Sequence, residues 1–269
     1  VIDAWQAVCL ALVQGVTEFL PISSSAHLLL PSLLLGWPDQ GLAFDVAVHV
    51  GTLLAVLWYF RTQLLALAHG VLRAVVEGHG NDHSREVLYL ALASLPVALV
   101  GLLLNARMEA LRTMPVVIST TIVFALLLAV ADRRADRAGR LEAVPGAAAA
   151  VLIGLAQALA PIPGTSRSGI TISAGLLLGL TRQAASRFAF LLSIPVIAGA
   201  GLLKGLELAG DAGPGVVDWP LLLGATGVAA LSAYLCIALF LALIERIGML
   251  PFVVYRLLLG GVLLALWWR

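Results

Sequence analysis

The chain has 269 residues, 61% of them hydrophobic and 12% charged, with a mean hydropathy of +1.03. Soluble domains carry about 25% charged residues, so a soluble globular protein is excluded. A formal net charge of +1 without a basic tail or acidic block excludes nucleic acid as a partner, and the isolated Cys9 and Cys236 exclude a disulfide framework and a zinc site.

In chain order, the first apolar stretch, about 4 to 36, is broken near its middle by "EFLPISSSAH". It has no basic lead and contains Gln14, Glu18 and Pro21, so it reads as a membrane element rather than a cleavable leader. A span at 42 to 60 follows, with the roughly 20 residues that a helix needs to cross about 30 Å of hydrocarbon. The polar stretch around "EGHGNDHSRE" is predicted to be a solvated loop carrying His69, His79 and His83. Spans at 85 to 104 and 114 to 131 close the first half. A second broken stretch, 145 to 180, carries "APIPGTSRSGIT", and spans at 187 to 208, 220 to 244 and 250 to 268 complete the chain. Alternating strands of about 10 residues, the mark of a membrane barrel, are not seen.

Irregular backbone at membrane depth survives only where protein or trapped water satisfies its amides and carbonyls, so each broken stretch predicts a re-entrant helix-loop-helix hairpin. The predicted fold class is an all-α polytopic membrane protein, one integral membrane domain over 1–269, with repeat 1 about 1–131 and repeat 2 about 145–269. Each half is a re-entrant hairpin plus three transmembrane helices. An odd number of spans per half turns the second upside down, an inverted-topology repeat in which the hairpin tips meet near the midplane. "LPIS" at 20–23 and "APIP" at 160–163 align at one offset, which sets His27 opposite Arg167.

Orientation follows from basic residues. One face holds Arg61, Arg73, Arg85, Arg133, Arg134, Arg137, Arg140, Arg182, Arg187 and Arg246; the other holds Arg107, Arg112, Lys204 and Arg269, with Asp211 and Asp218 in a loop free of basic residues. The first face is predicted to be cytoplasmic and both termini to lie outside.

The two polar islands carry the chemistry. An ion at the bilayer centre costs about 2.5 to 3.5 kcal/mol on insertion scales. Arg167 cannot deprotonate, and its planar fork of donors suits phosphate. Around it Thr165, Ser166 and Ser168 bring hydroxyls, Gly164 and Gly169 allow close backbone approach, and a helix starting near Ser168 aims free amides at the loop. Glu18 has no basic neighbour in sequence; its partner is Arg167, His27 or a divalent cation. Gln14, one turn earlier, shares its face. His27, just beyond Ser23, Ser24 and Ser25, sets an acid or base beside candidate nucleophiles, while at least one serine caps the second half-helix. Asp45, His49 and Thr52 share a helix face and line the cavity or support the residues that do. Arg256, inside the last span, is expected to snorkel or to pair with a buried acid.

"QGVTE" at 14–18 with "FLPISSSAH", and "PGTSRSGIT" at 163–171, resemble the (E/Q)xxxE and PGxSRSxxT signatures of the bacterial undecaprenyl pyrophosphate phosphatase family; "FDVAVHVGT" at 44–52 and "FLLSIP" at 190–195 extend the likeness over nearly the whole chain. The resemblance implies removal of the terminal phosphate from undecaprenyl pyrophosphate, which recycles the lipid carrier for peptidoglycan synthesis. It further implies a divalent cation, Mg or Ca, an association with bacitracin resistance, a bacterial plasma-membrane location and a site opening to the outer, periplasmic side. Carried over by position, Glu18 is the motif glutamate, as metal ligand or base, and Ser24 the serine that attacks or binds phosphate. His27 is the acid or base and Arg167 the pyrophosphate-binding arginine, with Ser166, Ser168 and Thr171 as hydroxyl ligands; Gln14, Ser23, Ser25, Gly164 and Thr165, in the same two islands, are expected to be substrate-binding as well. Gln14 stands where the pattern allows Glu or Gln, which leaves Glu18 as that motif's only acid. The expected partners are this lipid, membrane lipids and, through the Gly-rich "GAGLLKG" at 199–205, a second copy in a homodimer. Inverted repeats also build transporters, so a transporter or flippase of a polyprenyl phosphate is the alternative.

Overall fold

The computed structural model of the chain describes residues 2–111, 113–135, 141–144, 146–210 and 218–268, with 104–110, 209 and 210 described by backbone alone. Arg112, Arg137, Arg140, Asp211 and Arg269 of the charge count lie outside the described residues, as does the side chain of Arg107. The described residues form eleven helices: α1 (Ala4–Thr17), α2 (Ser24–Leu35), α3 (Gly41–Tyr59), α4 (Arg61–Glu77), α5 (Asp82–Ala110), α6 (Met114–Ala135), α7 (Ala147–Gln157), α8 (Arg167–Leu177), α9 (Arg182–Gly210), α10 (Trp219–Ile247) and α11 (Leu250–Trp267). Six of them, α3, α5, α6, α9, α10 and α11, are long and apolar enough to cross a membrane, and they match the six predicted spans. The protein is a multi-pass, all-helical membrane protein.

Each broken stretch is a pair of short helices. At a rise of about 1.5 Å per residue, helices of 14, 12, 11 and 11 residues for α1, α2, α7 and α8 reach about 17 to 21 Å, short of the roughly 30 Å hydrocarbon core. Asp3 starts α1 by accepting from the Gln6 amide at 2.8 Å, while the Gln6 side chain accepts from the Asp3 amide at 3.0 Å, a reciprocal cap. In the turns, Pro21, Pro161 and Pro163 lack the N–H that a continuing helix would need. The helices resume after Ser23 (φ 75°) and Ser166 (φ 70°), the two non-glycine residues with positive φ among those described.

Counted from these serines, the two turns correspond differently from the motif alignment. Ser24 and Arg167, not His27 and Arg167, each open a helix after a strained serine. The second turn, 158–166, is three residues longer than the first, 18–23, so an alignment set at the turn entrances is out of step at the exits.

Helix contacts follow the logic of hydrocarbon, where small residues face in and Leu faces lipid. On α10, Ala225, Ala229, Ala233 and Ile237 are buried while Leu231, Leu235 and Leu239 are exposed. The alanine face receives α1 and α3. Gly15 fits because a Cβ there would come within 2.6 Å of the Ala229 carbonyl. In the second half α7 packs on α5, and at Gly154 an added Cβ would stand 2.7 Å from the Ala93 carbonyl.

Two expectations change. Residues 61–77, read as loop, form the helix α4, which packs on α5 through its buried Leu67 and Gly70; its apolar content is too low for a span but sufficient for one packed face. His69 therefore lies on a helix. Arg85 and Arg187, read as loop residues, lie in the opening turns of α5 and α9, as the fourth and sixth residues, because both helices run beyond their apolar windows.

Candidate active site at the hairpin junction

The two hairpins meet at their turns. Ser168 Oγ donates to the Leu20 carbonyl at 2.7 Å, and Phe19 packs edge-on against Phe190 of α9 at 5.2 Å between ring centroids. Phe19 and Phe190 belong to the largest apolar core cluster, so the junction rests on a rigid floor.

Glu18 is the centre of the polar network. Its Oε1 accepts from Arg167 Nη2 at 2.9 Å; its Oε2 accepts from Ser24 Oγ at 2.6 Å and from Gln14 Nε2 at 3.0 Å. Of the three partners expected for Glu18, Arg167 is the one it meets, which joins the halves, and Arg167 Nη1 donates to the Ala189 carbonyl at 3.1 Å. Carboxylate and guanidinium are nearly buried, with side-chain exposures of 8% and 11%. A paired buried charge is tolerated, whereas removal of one partner strands the other. Gln14 is fully buried, and its Oε1 has no hydrogen-bond partner among the described residues.

The two sets of hydroxyls are used differently. Ser24 is half-buried and Ser25 exposed, whereas Ser166, Ser168 and Thr171 are buried. Ser166 accepts from the Gly169 amide at 3.1 Å, capping α8, which starts at Arg167. Ser168 is committed across the junction, and Thr171 donates back to the Arg167 carbonyl at 2.8 Å. Thr165 Oγ1 is buried with no partner among the described residues. Gly164, at φ 87°, sits on α6, where an added Cβ would meet the Val117 carbonyl at 2.7 Å. Ser23 caps nothing with its side chain; its Oγ lies 3.3 Å from Ser25 Oγ, mirrored by Ser166 and Ser168 at the same distance.

His27 stands apart from this network. Its Nδ1 bonds the Ser23 carbonyl at 2.6 Å and its Nε2 the Tyr255 hydroxyl at 2.6 Å, with the two rings stacked. A carbonyl only accepts, so Nδ1 carries the proton and Nε2 accepts from Tyr255. The histidine that faces Glu18 is His49, with Nε2 4.0 Å from Oε2 and Nδ1 donating to the Asp45 carbonyl at 2.7 Å. Thr52 is buried behind it, and Asp45 turns away to accept from Gln40. Neither Tyr255 nor the facing of His49 onto Glu18 was predicted; only the shared face of Asp45, His49 and Thr52 hinted at the latter. Arg256 does not snorkel, and among the described residues it pairs with no acid. It is fully buried and donates to four backbone carbonyls: those of Pro21, Gly164 and Thr165, which the broken hairpins leave without helical partners, and that of Thr121 in α6.

Beside the junction, an apolar groove of about 590 Å³ runs between α1 and α11, lined by Leu12, Val16, Leu20, Phe252, Tyr255 and His27 among others. Among the described residues no cluster of three His, Cys, Asp or Glu forms a ready metal site.

A multi-pass membrane protein that buries a guanidinium and a carboxylate beside a reachable serine hydroxyl, where two short-helix hairpins meet, is of the class that keeps ionisable groups inside its membrane region. The sequence profile described as bacitracin resistance protein BacA matches residues 7–262, and the chain belongs to that family. It is 56% identical to an undecaprenyl-diphosphatase of Alcanivorax borkumensis over 263 residues, covering 97% of this chain and 98% of that protein. It is 55% identical to that of Teredinibacter turnerae, with coverages of 97% and 98%, and 53% identical to that of Hahella chejuensis, with 96% of each covered.

Proposed function

We propose that the chain is an undecaprenyl-diphosphatase, hydrolysing undecaprenyl pyrophosphate to undecaprenyl phosphate and inorganic phosphate and so recycling the lipid carrier of cell-wall synthesis. The observation that carries this reading is one carboxylate, Glu18, holding Arg167 on one oxygen and the Ser24 hydroxyl on the other. The chain's relatives from Alcanivorax borkumensis and Teredinibacter turnerae, matched over nearly their whole length, are undecaprenyl-diphosphatases, which supports it.

Phosphoryl transfer needs positioning and charge stabilisation above all. Ser24 Oγ already donates to Glu18 Oε2, so its proton passes to that carboxylate as Oγ attacks the terminal phosphorus. The bridging P–O bond breaks, undecaprenyl phosphate leaves with the electron pair, and water then releases phosphate from the serine. Direct attack by a water held on Glu18 gives the same products. Arg167 stabilises the charge on the phosphoryl oxygens. The proton role expected of His27 moves to Glu18 in this scheme, since both ring nitrogens of His27 are engaged away from Ser24.

The residues present fit a divalent cation, Mg or Ca: Glu18 and the unpartnered Gln14 Oε1 are hard oxygen donors on one face and would hold it. When bound, the ion supplies neutralisation of phosphate charge. The prenyl chain follows the groove between α1 and α11 into the lipid.

The location we propose is the bacterial plasma membrane, with the site open to the outer, periplasmic side and the halves related as inverted repeats. Support comes from the concentration of arginines at one set of helix ends and from the matching pairs α1–α10 and α7–α5. A homodimer is proposed on Gly199, Gly201 and Gly205, each with open space beyond its backbone; sedimentation of the detergent-solubilised protein tests it.

The functional test is phosphate release from undecaprenyl pyrophosphate by purified protein with Mg or Ca, with and without chelator. Chelator-sensitive release is expected. Lipid transport by a folded, lipid-supplied protein that releases no phosphate would replace this reading with a transporter.

A further inference from the structure

Arg256 is the largest fully buried side chain among the described residues. Its Nη1 donates to the Pro21 carbonyl at 3.1 Å, its Nη2 to the Gly164 carbonyl at 2.8 Å and the Thr165 carbonyl at 3.2 Å, and its Nε to the Thr121 carbonyl at 3.3 Å. No described carboxylate pairs with it. A buried cation in a membrane span is costly, and an arginine that only anchored a helix would reach the interface.

The carbonyls it takes are not scattered. Pro21 lies three residues before Ser24, and Gly164 lies three residues before Arg167. Ser24 and Arg167 are the first residues of α2 and α8, so the two carbonyls hold equivalent places in the two turns. One planar fork thus grips both corners from a third element, α11, while α6 offers the Thr121 carbonyl as a backstop. Room for the fork is kept on α8, where a Cβ at Gly169 would stand 3.0 Å from Nη1. Tyr255, the preceding residue, bonds His27 of α2.

We propose that Arg256 is a positioning residue for the phosphate-releasing reaction. It ties the two turns to each other and so sets Ser24 against Arg167 across Glu18. This proposal rests on the hydrolase reading above. Satisfying the carbonyls of either turn would need contact with that turn alone; gripping equivalent carbonyls of both couples the group that attacks to the group that stabilises charge. Lysine, a single ammonium on a flexible stem, cannot reproduce the planar fork.

The test compares wild type, Arg256→Lys and Arg256→Gln in detergent. Titration with a non-hydrolysable prenyl methylenediphosphonate counts the sites that bind, and phosphate release from undecaprenyl pyrophosphate is expressed per binding site. The expected result is near-stoichiometric binding with affinity within about threefold of wild type. Turnover per site falls about 100-fold in Arg256→Gln and about 10-fold in Arg256→Lys. Turnover per site within threefold of wild type in both variants overturns the proposal, as does a loss of activity that only follows the number of binding sites, which would make the arginine a fold-holding residue. An active wild type beside unaffected variants removes this proposal alone, whereas a folded wild type that releases no phosphate removes the hydrolase reading and this proposal with it.

Discussion

The two hairpins share one backbone device and use it for different ends. Each resumes helix after a serine with positive φ, and each pairs that serine's hydroxyl with the next-but-one serine at 3.3 Å. In the α1–α2 hairpin the side chains around the corner stay reachable: Ser24 is half-buried and Ser25 exposed. In the α7–α8 hairpin the hydroxyls serve architecture, with Ser166 as cap, Ser168 as cross-link and Thr171 as a bond to its own helix, while Arg167 alone reaches across to Glu18. A polar cluster in a membrane protein is thus not one functional unit. The first corner leaves hydroxyls reachable, and the second holds the Arg167 guanidinium in place.

The contrast can be broken at Ser24. Ser24→Ala keeps the fold and lowers phosphate release by about 10²-fold or more if the hydroxyl attacks; a variant that works within threefold of wild type shifts the attack to water. Stability sharpens the same contrast. Ser166→Ala loses the cap on the Gly169 amide and destabilises by about 1 kcal/mol, whereas Ser23→Ala loses no cap and costs less, a difference readable in thermal unfolding of the solubilised protein. The smallest effect belongs to Thr171→Val. Its hydroxyl bonds only within α8, so phosphate release within about threefold of wild type is expected in the same assay, and a loss beyond tenfold would give Thr171 a substrate contact.

Much of this was legible from hydrophobic length and interruption. Spans of about 20 apolar residues announce themselves, and Pro, Ser and Gly inside apolar stretches marked both hairpins. A buried carboxylate and a buried guanidinium must each find a partner, which made the Glu18–Arg167 contact readable across 149 residues. Other features depend on where a turn points its neighbours. Three extra residues in the second turn set Ser24, not His27, opposite Arg167. His27 and Ser24 are three positions apart, yet His27 turns to Tyr255 on α11, a partner 228 residues away that no local spacing reveals. The helix α4 was hidden by low hydropathy, since a helix lying against one neighbour needs only one apolar face. Arg256 stood out as a charge in an apolar span, but its partners are backbone carbonyls, which carry no sequence signature.

The most direct measurement is phosphate release from undecaprenyl pyrophosphate by wild type and Arg167→Ala, purified side by side and matched for monodispersity and thermal unfolding. The junction account predicts steady release by wild type and a loss of about 10³-fold or more in the variant, since Arg167 stabilises the phosphoryl charge and holds the oxygen of Glu18 opposite Ser24. Wild-type turnover by a folded Arg167→Ala protein would contradict it and move the reaction away from the hairpin junction.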